Sequence, residues 1–206
     1  MVCVLLASKR ASMLSSKCSH ISTLLEKGSQ RINILSAASS VFRQVHVEAN
    51  LEKLGIALPP PPTPAANYNI TCHANNNMLY VSGHIPFALH GDETVLLTGA
   101  VGEGAKTLEE GKAAARACGL NIIATLKREL GDLDRVEQVV KIFGIVNSTT
   151  DFKMQHRVLD GCSDLMMEVF GKPVGYHARS AIGTNTLPLD ITVEVEAIVQ
   201  IKTENN

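Results

Sequence analysis

The chain has 206 residues, of which 45% are hydrophobic and 19% are charged, and its formal net charge at pH 7 is −1. This composition indicates one globular domain with a hydrophobic core and an extension, and it excludes a wholly disordered chain. No apolar run is long enough for a membrane span, and aromatic residues make up only 4%, which disfavours base-stacking platforms.

Residues 1–45 differ in composition from the rest of the chain. They hold six of the 19 basic residues but one of the 20 acidic ones, which leaves 13 basic and 19 acidic residues for positions 46–206. A basic, serine-rich and leucine-rich leader is typical of a mitochondrial transit peptide, and we expect its removal near Arg43. A disordered tail or an incorrectly assigned start codon would give the same composition. We therefore predict a mitochondrial matrix location, with the cytoplasm as the alternative.

Residues 46–66 are predicted to form a short helix followed by a proline-rich tether. The tract from Pro59 to Pro64 is stiff and lacks the backbone donors that a sheet interior needs. We interpret it as a segment laid over the surface rather than a docking motif, and we assign residues 67–206 to the folded domain.

The first predicted strands run from Met78 to Ser82 and from about Val95 to Leu97. Between them and the first long helix lies a glycine-rich loop without the GxxxxGK[ST] pattern of a phosphate-binding loop. The helix is predicted to begin after Thr107, which forms a capping box with Glu110, and to continue to Gly131.

The remaining predicted elements alternate between strand and helix. A branched-residue run predicts a strand from Val136 to Val146, an apolar stripe predicts a helix over about 151–170, and strands follow at about 176–183 and 190–201. Strands interleaved with two amphipathic helices indicate an α+β two-layer sandwich with both helices on one face of the sheet.

The last two strands carry charges where a dry core is expected. Glu194 and Glu196 lie on one face of the final strand, whereas the valines between them lie on the other. In the preceding strand, His177 and Arg179 share a face. A subunit interface that contains a pocket explains faces of this mixed character.

Neither the cysteines nor the histidines have the spacing of a metal site. The five cysteines contain no CxxC pair and are predicted to be reduced thiols, with Cys118 and Cys162 in the core. The histidines show no HExxH pattern. We therefore predict no metal and no cofactor.

Four motifs together resemble the Rid family, also called the YjgF or endoribonuclease L-PSP family. They are "SGHIP", "ARS", "LP" and "EVEAI", and the resemblance covers roughly residues 48–203. The elements "LGDLDRV", "DGCSDL" and "HARSAIG" are similar to a longer L-PSP-type subgroup. The resemblance implies a chorismate-mutase-like fold with a mixed six-stranded sheet, and a homotrimer with sites in the clefts between subunits.

The resemblance also implies an activity. Members of the family hydrolyse 2-imino acids to 2-keto acids and ammonia, with the motif arginine binding the carboxylate and a carboxylate of the last strand positioning water. Arg179 and Glu194 are therefore the expected catalytic residues. The expected substrate-binding residues are Tyr68, Ser82, Gly83, His84, His177 and Ser180.

The chemistry fits these residue types, because a guanidinium pairs with a carboxylate through two parallel bonds and an imine needs little more than an activated water. His84 and Ala181 replace the usual glutamine and a frequent cysteine of the family. Two alternatives remain. One is a non-catalytic trimer that binds small carboxylates or a protein partner, and the other is an endoribonuclease, which the acidic domain disfavours.

Overall fold

The computed structural model describes residues 46–75, 77–91 and 93–203, and the predicted transit peptide over residues 1–45 lies outside this range. The described chain forms two sheets with helices packed on one face of the larger one. The helices are α1 (Val47–Leu54), α2 (Leu108–Leu130), α3 (Gln155–Val158) and α4 (Asp160–Phe170). The strands are β1 (Thr71–Ala74), β2 (Met78–His84), β3 (Phe87–His90), β4 (Glu93–Leu96), β5 (Val136–Asn147), β6 (Ala178–Thr184) and β7 (Val193–Ile201).

The large sheet has the order β1-β2-β7-β5-β6, and β5 and β6 form its parallel pair. The α+β two-layer architecture predicted from the sequence is confirmed. The predicted number of six strands is wrong, because the main sheet has five.

The strand predicted near Val95 belongs to a separate hairpin. Strands β3 and β4 pair only with each other in the described sheets, from Phe87 opposite Leu96 to His90 opposite Glu93. Pro86 lacks a backbone donor and follows the end of β2, so the chain leaves the main sheet at this point. Strand β1, which was not predicted, pairs with β2 instead.

Helix α2 is the central helix of the core. Its N-cap is Thr107, whose hydroxyl accepts a hydrogen bond from the Glu110 backbone N–H, while the Glu110 side chain accepts one from the Thr107 N–H. The predicted capping box is therefore confirmed, and it satisfies backbone donors that the helix would otherwise leave unpaired. Ile122 and Leu126 of this helix are fully buried against the sheet and α4.

The helix predicted over about 151–170 is divided into α3 and α4. Its apolar stripe is buried as predicted, and Cys162 and Leu165 are 0% exposed. Helix α4 packs against α2 where Gly161 lies close to the Lys112 carbonyl oxygen, a distance that leaves no room for a β-carbon. This packing fixes the side of α4 that faces β6.

Helix α1 is attached to the same layer by side-chain hydrogen bonds. The amide of Asn50 donates to the carbonyl oxygens of Glu168 and Val169 at the end of α4. Glu48 accepts from Lys127 and from the Leu133 backbone. None of the described helices combines the length and hydrophobicity that crossing a bilayer requires.

The two faces of the large sheet differ in burial. The face toward the helices is apolar, and Val193, Val195 and Val199 of β7 are each 0% exposed. The opposite face, called here the open face, carries partly exposed side chains such as Tyr80 and Ile182, at 47% and 48% exposure. A cavity of about 460 Å³ lies on the open face. Its lining includes Tyr80, Ser82, Lys141, Phe143 and Glu196.

Candidate functional site

A β-bulge brings Gly83 against Glu194. Strand β2 pairs with β7 in a regular register up to Val81 opposite Ala197, and the next pair is His84 opposite Val195. One extra residue of β2 is therefore accommodated between these pairs, as in bulges that border many active sites. The Glu194 carboxylate lies over Gly83, in a position that a β-carbon on residue 83 would overlap.

The environment of Glu194 favours its protonated form. Burial raises the pKa of this carboxyl, and the negative charge of Glu196 raises it further. The group is half-buried on the open face, because Val193 and Val195 on either side of it point into the core. A carboxylate whose pKa lies above its ordinary value is a stronger base and is better suited to accept and return a proton.

Ser82 and Tyr68 lie at the same end of the sheet. The Ser82 hydroxyl donates to the carbonyl oxygen of Asn69, at 2.8 Å, and the Ser82 backbone N–H donates to Ile70. These two hydrogen bonds attach Asn69 and Ile70, the residues that follow Tyr68, to the bulged strand β2. The Tyr68 side chain is 47% exposed, so the ring is available to a ligand or to a second protein chain.

His84 is not a pocket residue, and this part of the sequence-based prediction is wrong. The bulge shifts the alternation of β2 by one residue, so the imidazole points toward α2 and is 1% exposed. Its Nδ1 is 2.6 Å from the Ser82 carbonyl oxygen and its Nε2 is 2.8 Å from the Thr125 hydroxyl. The ring is a hydrogen-bonded part of the core.

Arg179 lies on the opposite side of the sheet and is held by α4. One of its terminal nitrogens, Nη1, is 2.8 Å from Asp160 Oδ1 and 3.1 Å from Ser163 Oγ. Among the described residues, these are the two hydrogen-bond partners of its side chain. The guanidinium thus has fixed geometry while Nε and Nη2 retain free donors.

His177 fixes the orientation of the Ser163 hydroxyl. Its Nδ1 is 2.7 Å from the Gly175 carbonyl oxygen, which can only accept, so Nδ1 carries the proton. Burial lowers the pKa of His177, and the charge of Arg179 lowers it further. The neutral ring therefore accepts at Nε2 from the Ser163 hydroxyl, 3.0 Å away, and Ser163 Oγ is free to accept from Arg179.

Within one chain Arg179 and Glu194 do not meet. Strand β5 lies between β6 and β7, and Arg179 is level with Ala197, three residues along β7 from Glu194. The separation is roughly 10 Å along the strands and another 10 Å across them. The two side chains also leave opposite faces, since Glu194 is on the open face and Arg179 contacts α4. Ser180 is on the open face too.

Asp160 and Ser163 were not identified from the sequence. They are 19 and 16 positions before Arg179, and only the packing of α4 on β6 brings them to it. A usable signal exists in "DGCSDL", because the two polar residues are three apart and lie on one side of a helix whose next turn is apolar.

One group of acidic side chains in the described part of the chain has metal-like spacing. It consists of Glu48, Asp132 and Asp134, whose oxygens lie within 4.8 Å of one another. Their oxygens already accept from Lys127 and from backbone N–H groups at the α1 and Leu133 turns. The cluster is thereby explained as the junction between α1 and the end of α2.

Residues 48–200 match the family described as "YjgF/chorismate mutase-like, putative endoribonuclease". The chain belongs to the YjgF family. It is also 44% identical over 162 residues to Protein TCP17 of Trypanosoma cruzi, a match that covers 79% of this chain and 98% of that protein.

Two solved structures resemble the fold of this chain. The protein Atu1372 of unknown function from Agrobacterium tumefaciens is 38% identical with a TM-score of 0.67, and covers 77% of this chain and 96% of its own. A "putative endoribonuclease" from Shewanella oneidensis is 30% identical with a TM-score of 0.69, covering 75% and 99%. The match to the YjgF family model includes every residue that the sequence predicted for the site.

Proposed function

We propose that this YjgF protein hydrolyses 2-imino acids to 2-keto acids and ammonia. The observation that carries the proposal is the state of Arg179, which α4 holds through Nη1, while no side chain or carbonyl of the described residues accepts from Nε or Nη2. The Nε–Nη2 edge of a guanidinium binds a carboxylate through two parallel hydrogen bonds. The motif that contains this arginine is one of the four on which the resemblance to imine-hydrolysing Rid proteins rests.

Glu194 supplies the second half of the reaction. Its raised pKa lets it take a proton from water as the oxygen attacks the imine carbon, and return that proton to the nitrogen, which gives a carbinolamine. The carboxylate then takes the proton of the new hydroxyl group and passes it to the nitrogen as the C–N bond breaks. The C=N bond is replaced by C=O, and nitrogen leaves as ammonia, so one water is consumed for each imine. No cofactor enters this scheme.

The active unit of the proposal is a homotrimer. Arg179 and Glu194 of one chain are too far apart to act together, so Arg179 of one copy faces Glu194 and Gly83 of its neighbour. The open face, with Tyr80 and Ile182 exposed, is the surface that the copies bury.

The proposed setting is the mitochondrial matrix, with residues 1–45 as the transit peptide. There the protein would remove reactive imines and enamines before they modify other enzymes. Expression of the full chain with a C-terminal fluorescent tag tests this placement. Import and loss of the leader support it, and an uncleaved cytoplasmic protein contradicts it.

Ribonuclease activity is the function that the family description names. The domain carries 19 acidic against 13 basic residues from position 46 onward, which opposes binding of a phosphate backbone. RNA cleavage by highly purified protein that Glu194→Gln abolishes would favour it over imine hydrolysis. A trimer that binds carboxylates without turnover would favour the binding role.

The first experiment measures keto-acid release from freshly generated 2-iminobutanoate and 2-iminopropanoate. The full chain is compared with Arg179→Ala and with Arg157→Ala, an exposed arginine of α3 that serves as the matched control. We expect acceleration by the first and third proteins but not by the second, with the assembly intact in all three. No acceleration by the intact wild-type assembly would refute the proposal.

A further inference from the structure

Asp160 and Ser163 of α4 both contact one terminal nitrogen of the Arg179 guanidinium. Nη1 of Arg179 has two hydrogens, and Asp160 Oδ1 and Ser163 Oγ accept both. The Nε and Nη2 donors form the free edge of the guanidinium, and a ligand carboxylate can bind there without displacing Asp160.

A ligand bound in this way places two carboxylates on one guanidinium. His177 does not offset the second negative charge, because burial lowers its pKa and its Nε2 accepts from Ser163. Cys162 is a neutral thiol, since burial raises its pKa to about 12. Lys141 pairs in register with Ala178, but its side chain lines the cavity on the open face. Counting the residues of one chain, the site is thus one negative charge in excess, and an ionised Glu194 of the neighbouring copy adds to this excess.

We propose that Asp160 is a specificity-determining residue, which selects ligands that carry a protonated nitrogen beside their carboxylate over keto acids of the same skeleton. The cation pairs with Asp160 while the carboxylate pairs with Arg179, so a zwitterion neutralises the site and a keto acid does not. Both Arg179 and Asp160 are about one-third exposed, so the ligand reaches them directly.

This inference rests on the proposed function and extends it to the charge state of the substrate. The protonated imine is the more electrophilic form, and a neighbouring carboxylate stabilises it. The keto-acid product lacks the positive nitrogen, so it binds more weakly than the substrate and leaves. Asp160 therefore favours the reactive form and promotes product release.

The test compares two stable ligands with the same carbon skeleton, 2-aminobutanoate and 2-oxobutanoate. Their dissociation constants are measured by calorimetry at pH 7 and low salt, using the full chain, Asp160→Asn and Asp164→Asn. Asp164 is exposed, lies one turn further along α4, and serves as the matched control. We expect Asp160→Asn to weaken the amino acid and strengthen the keto acid, which changes their affinity ratio by about fivefold or more.

Other outcomes overturn the inference in recognisable ways. Equal weakening of both ligands would mean that Asp160 only positions Arg179. Equal strengthening would mean that Asp160 competes with every ligand carboxylate. An unchanged ratio while 2-iminobutanoate is still hydrolysed would refute the inference and leave the proposed function intact. A changed affinity ratio in a protein that does not hydrolyse 2-iminobutanoate would support the role of Asp160 and refute the proposed function. If neither ligand binds to the wild-type protein, both the inference and the proposed function are refuted.

Discussion

The carboxylate of Glu194 lies over Gly83, where a β-carbon on residue 83 would overlap it. The bulge in β2 creates this contact, since it places a residue without a side chain beneath the acid. Glycine is required here for space, because the backbone of Gly83 is not in the left-handed region.

Gly83→Ala should therefore reduce activity without unfolding the protein. The overlapping atoms are the far end of a flexible side chain, so the carboxylate can rotate away at little cost in stability. Rotation removes the acid from the position where it activates water. We expect kcat for 2-iminobutanoate to fall about tenfold or more, which corresponds to the loss of one acid–base contribution.

A glycine in the core provides the contrasting control. A β-carbon at Gly119 of α2 would meet Leu165 Cδ2 at 2.9 Å and Cys162 Sγ at 3.2 Å, both fully buried. Gly119→Ala should lower the free energy of unfolding by about 1–3 kcal/mol through overpacking and leave kcat of the folded fraction unchanged. Loss of stability rather than activity in Gly83→Ala would contradict the steric role assigned to Gly83.

The acid limb of the pH–rate profile should depend on Glu196. Burial raises the pKa of Glu194, and Glu196 raises it further, so the carboxylate form is lost as the pH falls through a value above the ordinary 4.5. Glu196→Gln removes the negative charge of Glu196, which should lower the pKa of Glu194 and shift the acid limb to lower pH. Burial remains, so the limb should still lie above that of an unperturbed glutamate.

Glu196→Gln should also change the pH dependence of the free energy of unfolding. Below pH 4.5 Glu194 is protonated in both the folded and unfolded states, and as the pH rises through its raised folded pKa the buried charge opposes folding. Glu196→Gln should thus make the folded protein more stable above this window. Urea unfolding at pH 4 and pH 7 measures the difference, and an unchanged acid limb together with unchanged stability would show that the two carboxylates do not interact.

Local patterns predicted much of the fold. The capping box at Thr107, the buried stripe through Cys162 and Leu165, and the alternation along β7 each depend on near neighbours in sequence. Arg179 and Glu194 were predicted as site residues from the family motifs that contain them. The structure shows that one chain holds them apart, on opposite faces of the sheet.

The features that were missed depend on tertiary packing. The resemblance to the Rid family placed His84 beside the site, whereas a bulge that no local pattern signals turns its side chain into the core. Asp160 and Ser163 are brought to Arg179 only through the contact between α4 and β6. The hairpin of β3 and β4 separates from the main sheet after Pro86, and no local pattern indicates which strands these two pair with.

His84 should make the protein less stable in mild acid. Burial lowers its pKa below the ordinary 6.5, so below that pH the unfolded chain binds a proton that the folded core excludes. The free energy of unfolding should fall as the pH drops from about 7.5 to 5, and His84→Gln should reduce this slope. Fixed protein concentration is required, since unfolding of an oligomer depends on it.

Thr125→Val tests how much the hydrogen bond to His84 contributes to stability, separately from the protonation of the His84 ring. The Thr125 hydroxyl is the partner of His84 Nε2, and removing it leaves a buried acceptor unsatisfied at a cost of about 1–3 kcal/mol. Keto-acid release by the folded fraction should not change in either variant, because both side chains lie in the core. A selective loss of substrate affinity in His84→Gln would return His84 to the site.

The division of the site between two copies predicts complementation. In Arg179→Ala the carboxylate clamp is lost from every site, and in Glu194→Gln the base is lost from every site, so each variant alone should be inactive. If each site combines Arg179 of one subunit with Glu194 of its neighbour, co-refolding equal amounts of the two variants creates some interfaces with both native residues. With random assembly, about a quarter of all subunit interfaces should hold both native residues, and the mixture should have about a quarter of wild-type activity.

Two controls make this outcome decisive. Mixing the two variants without unfolding should give no activity as long as the subunits do not exchange, which shows that the recovered sites require new interfaces. The double variant Arg179→Ala/Glu194→Gln, co-refolded with wild-type chains, provides the reference for assembly efficiency. A site within one chain would give no recovery of activity after co-refolding, because each variant chain lacks one of the two residues. Such a site is disfavoured by the sheet, in which β5 lies between the strands that carry them. The absence of recovery would contradict the shared site even if the protein is a trimer.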